Sequence, residues 1–380
     1  MESRKEELIK YCTEETGATL AWASFNLNLA VDILRDVAGR ISSITGMIPA
    51  TAQDGVSALV YKEPYGVILA IAPWNAPFIL GVRSIVYPLA AGNTAILKAP
   101  ELSPMCSHAI VSCFHDAGLP DGVLNLIAHK PSDAAAVTKY LIEHPSVKKV
   151  NFTGSTMVGK IIAKLAGENL KPVLLELGGK APAIVLDDAD LELAAMECAV
   201  GSFVHSGQIC MSTERVIVLE KVAEEFEAAF KKATAQFAPE EQEAGCLINK
   251  GGVEKNKRLL QDAISKGATI VHGDPMNGVD TKMRPVIVKG TTKDMDLFHT
   301  ESFGPTVSLI IVKSDEEALE LANDTAYGLS SAVFTRDLGR GLRFARGIES
   351  GAVHINGMTV HDETALPHGG EYTLYCLSCV

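Results

Sequence analysis

At 380 residues, with 47% apolar and 21% charged side chains, the chain has the balance of a soluble globular protein and is long enough for two cores. A net charge of −12 argues against nucleic-acid or anionic-membrane partners, which repel an acidic surface. The start, Met1 to Glu7, is too charged for the apolar core of a signal peptide, and the longest apolar stretches, such as Val67–Ala72, fall far short of the ~20 residues that span a bilayer. A cytoplasmic location is expected. Eight scattered cysteines read as free thiols. Cys376 and Cys379 form one C-x-x-C pair without a second pair or suitably spaced histidines, so no metal site is expected.

Along the chain, Trp22, Phe25, Leu29, Ile33 and Val37 recur at helical spacing, and Gly39 is a plausible stop. Val56–Glu63 alternates enough to be a strand, broken by Pro64 and Gly66. From Val67 the pattern becomes β–α alternation. Strands are expected at Val67–Ala72, Thr94–Lys98, Val123–Ile127 and Lys148–Phe152, separated by stretches of helical length, which is the signature of an open parallel sheet of Rossmann character. A second α/β unit is expected from Pro182, with strands Ala183–Leu186, Arg215–Leu219, Val307–Val312 and Gly351–Ile355 and helices such as Leu191–Val204 and Ser314–Asn323. The boundary is placed near Gly178-Gly179.

Several short motifs carry chemistry. Phe152-Thr-Gly-Ser-Thr-Met-Val-Gly159 leaves a strand and opens a helix, whose free N–H groups suit a pyrophosphate, with Gly154 allowing close approach and Ser155 offering a hydroxyl. The bland alternative is a tight turn with a capping serine. Lys98-Ala-Pro-Glu101 ends another strand and could hold ribose hydroxyls, the carboxylate disfavouring a 2′-phosphate and so favouring NAD over NADP. A solvated ion pair is the alternative. Glu176, in Leu174-Leu-Glu-Leu-Gly-Gly-Lys180, lies among apolar neighbours that raise a carboxyl pKa toward general-base range. Against this stands a structural acid paired with Lys180. Cys210, in Gly207-Gln-Ile-Cys210, follows a helical segment where a turn would leave a nucleophile reachable, or is simply a buried thiol. Asn75, in Ala72-Pro-Trp-Asn75, can donate its amide to an oxyanion or serve only as a turn residue.

Taken in order, Pro-Trp-Asn, Lys-x-Pro-Glu, Phe-Thr-Gly-Ser, Glu-Leu-Gly-Gly-Lys, Gly-Gln-x-Cys, Glu-x-Phe-Gly-Pro and Pro-His-Gly-Gly resemble the aldehyde dehydrogenase superfamily from about Ser3 to Gly370. The stretch from Ala72 to Arg83 looks most similar to the salicylaldehyde and vanillin dehydrogenase branch. The resemblance implies an α/β fold with an NAD-binding domain over 1–178, oligomerisation-flap strands within 46–64, a catalytic domain over 179–370 and a divergent tail over 371–380. It implies oxidation of an aromatic or apolar aldehyde to the acid. Cys210 would be the nucleophile, Asn75 the oxyanion donor and Glu176 the base that hydrolyses the thioester. Trp74, Lys98, Glu101, Gly154, Ser155, Gly159, Glu301 and Phe303 match dinucleotide contacts, and Arg83 lies near the expected substrate tunnel.

The family implies a homodimer or homotetramer. Its members usually have a longer N-terminal portion, and after Gly370 they continue into a final flap strand that this sequence replaces with Glu371–Val380. A second reading follows, of a shortened homologue that binds nucleotide or a partner subunit without turnover. A thiol hydrolase pairing Cys210 with His205 is a third, and it leaves the Lys98–Glu101 and Phe152–Ser155 motifs unexplained.

Overall fold

The computed structural model describes residues 1–239 and 241–370, so the Glu371–Val380 tail with Cys376 and Cys379 lies outside the described residues. The chain divides into two compact units. One comprises Met1–Glu15 and Ala23–Leu175; the other comprises Thr16–Trp22 and everything from Glu176 onward. The division falls at Leu175/Glu176, a few residues ahead of Gly178-Gly179.

The first unit opens with helices α1 (Lys5–Thr16) and α2 (Leu20–Arg40). Helix α2 buries Ala23, Leu27, Ala30, Ile33 and Val37, whereas Phe25, expected on that stripe, is exposed. Nor does Gly39 stop the helix, which runs to Arg40 and into a 3-10 turn over Ile41–Ser43. Between residues 46 and 64, where strands were expected, the backbone forms a single antiparallel bridge, Met47–Val60. A strand needs a ladder of partners, and here Ile48, Leu59 and Tyr61 stand exposed with no neighbouring strand among the described residues.

The β–α alternation follows. In chain order it runs β1 (Val67–Ile71), α3 (Pro77–Ala90), β2 (Thr94–Lys98), α4 (Pro104–Asp116), β3 (Leu124–Ile127), α5 (Ala134–Glu143), β4 (Val147–Thr153), α6 (Thr156–Glu168) and β5 (Val173–Glu176). The sheet order is β3-β2-β1-β4-β5, and β1 pairs in parallel with both β2 and β4. The chain builds outward from β1 on one side and then crosses to the other, so the crevice at the C-terminal ends of β1 and β4 is the switch point where such sheets take ligands. Helices α3 and α4 begin with a proline in the first turn. Neither has a capping side chain of its own. Buried Asn26 of α2 accepts from Phe78 N (3.0 Å) and Ile79 N (3.1 Å), and Glu15 of α1 accepts from Met105 N and Cys106 N. Free helix-start N–H groups are thus satisfied from a distant element.

The second unit contains β6 (Ala181–Val185), α7 (Leu191–Phe203), β7 (Thr213–Leu219), α8 (Ala223–Thr234), α9 (Lys250–Ser265), β8 (Thr269–His272) and β9 (Val286–Lys289). It continues with α10 (Asp296–His299), β10 (Thr306–Val312), α11 (Asp315–Asn323), β11 (Ser330–Phe334), α12 (Leu338–Gly347) and β12 (Ala352–Ile355). Its sheet runs β12-β11-β6-β7-β10-β9-β8, parallel except for the β8–β9 edge pair. β7 is buried along its whole length, as a strand covered on both faces must be. Phe203, Phe226 and Phe230 stack in the core between α7 and α8, with centroid separations of 6.5 and 5.5 Å. Helix starts carry their own caps: Asp190 for α7, Asn249 for α9, Ser314 for α11 and Asp337 for α12. No helix among the described residues is long and apolar enough to cross a membrane.

Candidate active site

In the first unit, three of the motifs converge on the C-terminal edge of one parallel sheet. Trp74 and buried Asn75 follow β1, Lys98 ends β2 with Glu101 just beyond, and Gly154 and Ser155 follow β4. The Trp74–Asn75 turn is fixed from behind, because Asn26 anchors the first turn of α3. Arg83 is half-buried on α3. Lys98 is 5% exposed and donates to Glu101 Oε1 at 3.1 Å, which also lies 3.2 Å from His129 Nε2. Burial pushes the Glu101 carboxyl up, but its own backbone N–H and the Lys98 ammonium outweigh that, leaving it below its usual range. His129 was not foreseen; it comes from the segment after β3, which pairs beside β2.

Ser155 caps α6 by accepting from Val158 N at 3.4 Å, and Gly159 N bonds Ser155 O. The Thr156 hydroxyl beside it is buried without a hydrogen-bond partner. A buried orphan hydroxyl at the helix start after β4, together with a carboxylate and an ammonium at the end of β2 on the far side of β1, is a set of polar groups that fits a dinucleotide pyrophosphate and ribose.

In the second unit, the motifs gather on the opposite kind of edge, where the chain enters the sheet. The Glu176–Lys180 segment leads into β6, Cys210 leads into β7 and Glu301–Pro305 leads into β10, and these three strands are adjacent. Contacts tie the three loops together. Gly179 N donates to Glu301 Oε1 at 2.8 Å. A Cβ at Gly178 would sit 2.7 Å from both Glu301 oxygens, and one at Gly179 only 1.9 Å from the Cys210 carbonyl oxygen. Only glycines let this backbone pass between the Cys210 peptide and the Glu301 carboxylate. Glu176, at the end of β5, is 5% exposed.

The turn carrying Cys210 is itself unusual. His205, Ser206 and Gly207 have φ of 48°, 55° and 71°, a left-handed run that breaks α7 and leads to the half-exposed Cys210. A Cβ at Gly207 would lie 2.2 Å from Gly304 O, so the turn packs directly on the Glu301–Pro305 loop. Gln208 is buried and locks the turn: its amide N donates to His205 O and Cys246 O, and its Oε1 accepts from Ile248 N. His205 stacks on Trp22 at 5.3 Å, and burial drives its pKa down to about 4. At neutral pH it is therefore uncharged, and its ring packs face to face with Trp22.

Lys180 does not pair with Glu176, the alternative weighed from sequence. Its ammonium, fully buried, contacts Glu214 Oε2 at 2.5 Å and donates to Thr300 O at 2.8 Å. Glu214 in turn accepts from Ser302 N, Ser302 Oγ and Phe303 N. Phe303 takes a left-handed φ of 48° at this point. Neighbouring Glu301 is raised to about 7, chiefly by burial and then by the Glu214 charge, with the Gly179 N–H only partly offsetting them. Glu214 and Ser302 were missed because each is an ordinary polar residue in its local sequence. Beyond Cys210, Met211 lines a cavity that is also walled by His354, Asp362 and His368.

The aldehyde dehydrogenase family model matches residues 1–372 of this chain. The chain is 46% identical over 375 residues to a vanillin dehydrogenase of Pseudomonas fluorescens, covering 97% of this chain and 77% of that protein. It is 41% identical over 376 residues to a salicylaldehyde dehydrogenase of Pseudomonas putida, with coverage of 97% and 77%. The crystal structure of a salicylaldehyde dehydrogenase from Pseudomonas putida G7, complexed with salicylaldehyde, superposes with a TM-score of 0.94 at 40% identity, covering 98% of this chain and 78% of that one. A family model over nearly the whole chain and relatives of this similarity identify the chain as a member of the aldehyde dehydrogenase family, oxidoreductases that act on aldehydes.

Proposed function

We propose that the chain oxidises an aromatic aldehyde to its carboxylic acid with NAD. The carrying observation is the Gly178–Gly179 backbone, which runs between the Cys210 peptide and the Glu301 carboxylate two residues after buried Glu176. The aromatic substrate class rests on the vanillin and salicylaldehyde enzymes at 46% and 41% identity.

Cys210 Sγ attacks the aldehyde carbon, and the thiol proton leaves to solvent. The Asn75 amide and the Cys210 N–H hold the oxyanion that develops. NAD, held by the residues of the first unit named below, would supply the hydride acceptor that oxidation of the Cys210 adduct to a thioester needs. Glu176 takes a proton from water as the water oxygen attacks the thioester carbon, and the Cys210 thiolate is expelled as the acid forms.

On the binding side, Trp74, Gly154, Ser155 and Gly159 line the pyrophosphate at the start of α6, helped by Thr156. Lys98 and Glu101 hold the adenosine ribose, and Glu101, held ionised, repels a 2′-phosphate and favours NAD over NADP. Glu301 and Phe303 serve the nicotinamide side, and Arg83 faces the substrate. The assembly proposed for the active protein is a homodimer or homotetramer.

The test is NADH absorbance with the full chain, NAD and a panel of benzaldehyde, salicylaldehyde and vanillin. Turnover is expected, larger with NAD than with NADP, and absent in Cys210→Ala. A folded chain silent across the panel, or a Cys210→Ala variant with full turnover, overturns the proposal.

A further inference from the structure

His368 lies on the loop after β12, in the Pro367-His-Gly-Gly370 motif, and stands between two acids of the second unit. Its Nε2 is 3.8 Å from Glu176 Oε2 and its Nδ1 is 3.9 Å from Asp362 Oδ1. The three side chains are 16%, 6% and 10% exposed. Both ring nitrogens of one imidazole are thus aimed at carboxylates in a mostly dry site, on the wall of the cavity that Met211, next to Cys210, also lines. The remaining titratable groups on that wall are engaged with one another. His361 Nε2 lies 3.0 Å from Glu363 Oε1, and the His354 and His361 rings pack edge to face at 5.5 Å.

We propose that His368 is a positioning residue for Glu176, holding its carboxylate ionised and aimed for the water-activating step, with Asp362 steadying the far side of the ring. The proposal rests on the reading of Glu176 as the hydrolytic base. At 3.8 Å the pair is within ion-pair range and longer than a hydrogen bond, so the link is electrostatic at rest. A side-chain rotation of about 1 Å closes it to hydrogen-bond length. The histidine acts on one half of the reaction. Attack by Cys210 and formation of the thioester do not need the base, whereas thioester hydrolysis does.

The kinetic experiment is rapid mixing of the full chain with NAD and aldehyde, following NADH. His368→Phe is expected to keep a burst of about one NADH per subunit while steady turnover falls roughly tenfold or more, the low end of what a lost acid–base contribution costs. His368→Gln, which keeps a donor near Glu176, is expected to recover part of that loss. A merely structural histidine would lower the burst and the turnover together. Glu176→Gln, run alongside, separates the two ideas. If it turns over normally, the base assignment fails. If it stalls after a burst while His368→Phe turns over like the wild type, only the positioning role fails.

A second measurement needs no turnover. In imidazole nitrogen NMR, with the His368 signal assigned from its loss in His368→Gln, Glu176→Gln should lower the His368 pKa by about half a unit or more, because it removes a facing negative charge. An unchanged pKa overturns the proposal.

Discussion

Replacing Gly179 with alanine adds one methyl group at the most crowded point of the second unit. The new Cβ would lie 1.9 Å from Cys210 O and 3.1 Å from Cys210 C, both backbone atoms that cannot rotate aside. Restoring even a tight contact of ~3.2 Å requires the Cys210 peptide and the Gly179 segment to separate by about 1.3 Å, and a displacement of ~1 Å at a reacting group costs on the order of 10²-fold in rate. Overpacking of this kind costs about 1–3 kcal/mol in stability, too little to unfold a domain of this size. Gly179→Ala is therefore expected to fold, to unfold at moderately lower urea and to lose roughly 10²-fold in NADH turnover. Gly39→Ala supplies the opposite sign from the same reasoning. Gly39 is exposed near the end of α2 with nothing within 4 Å of a new Cβ, so alanine should stabilise by up to about 1 kcal/mol. The assays are urea melts and steady-state NADH formation. A Gly179→Ala enzyme within twofold of wild-type turnover would show that the Cys210 peptide is not held by this contact, and the reasoning would fail.

Two other perturbations probe the buried acids. Lys180→Met strips Glu214 of the buried ammonium it is ion-paired with, and breaking such a pair costs about 3–5 kcal/mol. The Lys180→Met/Glu214→Met double variant should recover much of it, and a single-variant loss under ~1 kcal/mol in urea would contradict the account. Glu301→Gln tests the raised carboxyl. Below about 4.5 both folded and unfolded states carry the proton. Between there and about 7 the unfolded chain releases it first, so wild-type stability falls as pH rises, by roughly 3 kcal/mol in all without dinucleotide. The stability difference between Glu301→Gln and wild type should therefore widen in favour of the variant from pH 5 to pH 8; a constant difference would refute the shift.

The parts of the fold legible in the sequence are those where burial writes a pattern. Val67–Ile71, Thr94–Lys98 and Thr306–Val312 are parallel strands covered on both faces, and they read as continuous apolar runs. The strands that escaped notice lack that pattern. Val173–Glu176 is four residues long and merges with the motif that carries Glu176. Val286–Lys289 is equally short, and Thr269–His272 is a partly exposed edge. Ser330–Phe334 opens on two serines that are buried because their hydroxyls donate to Thr359 O and Ala352 O. The candidate site divides along the same line. Cys210, Glu176 and the glycines announce themselves by local context. Glu214 does not, since its partners Lys180 and Ser302 are 34 and 88 residues away. Proximity in sequence pointed Lys180 at Glu176, four positions back. The Gly178–Gly179 passage carries the chain away from β5 and into β6 between them, and the lysine meets Glu214 instead.

Three buried acids of the second unit, Glu176, Glu214 and Glu301, could each be a base, and their surroundings assign them different work. Glu214 accepts from an ammonium, a hydroxyl and two backbone N–H groups, so its lone pairs are engaged. Burial, and after it the Glu214 carboxylate, hold Glu301 near 7, and a single N–H cannot offset them. The Thr300–Phe303 segment that satisfies Glu214 also carries Glu301, and Lys180 bonds both that segment and Glu214. Glu176, at the end of a strand, faces the His368 imidazole. Carboxylates whose environments push them apart mark a division of roles. By that rule the three acids do different work, and the proposed base is the one that faces an imidazole rather than an ammonium or a second carboxylate.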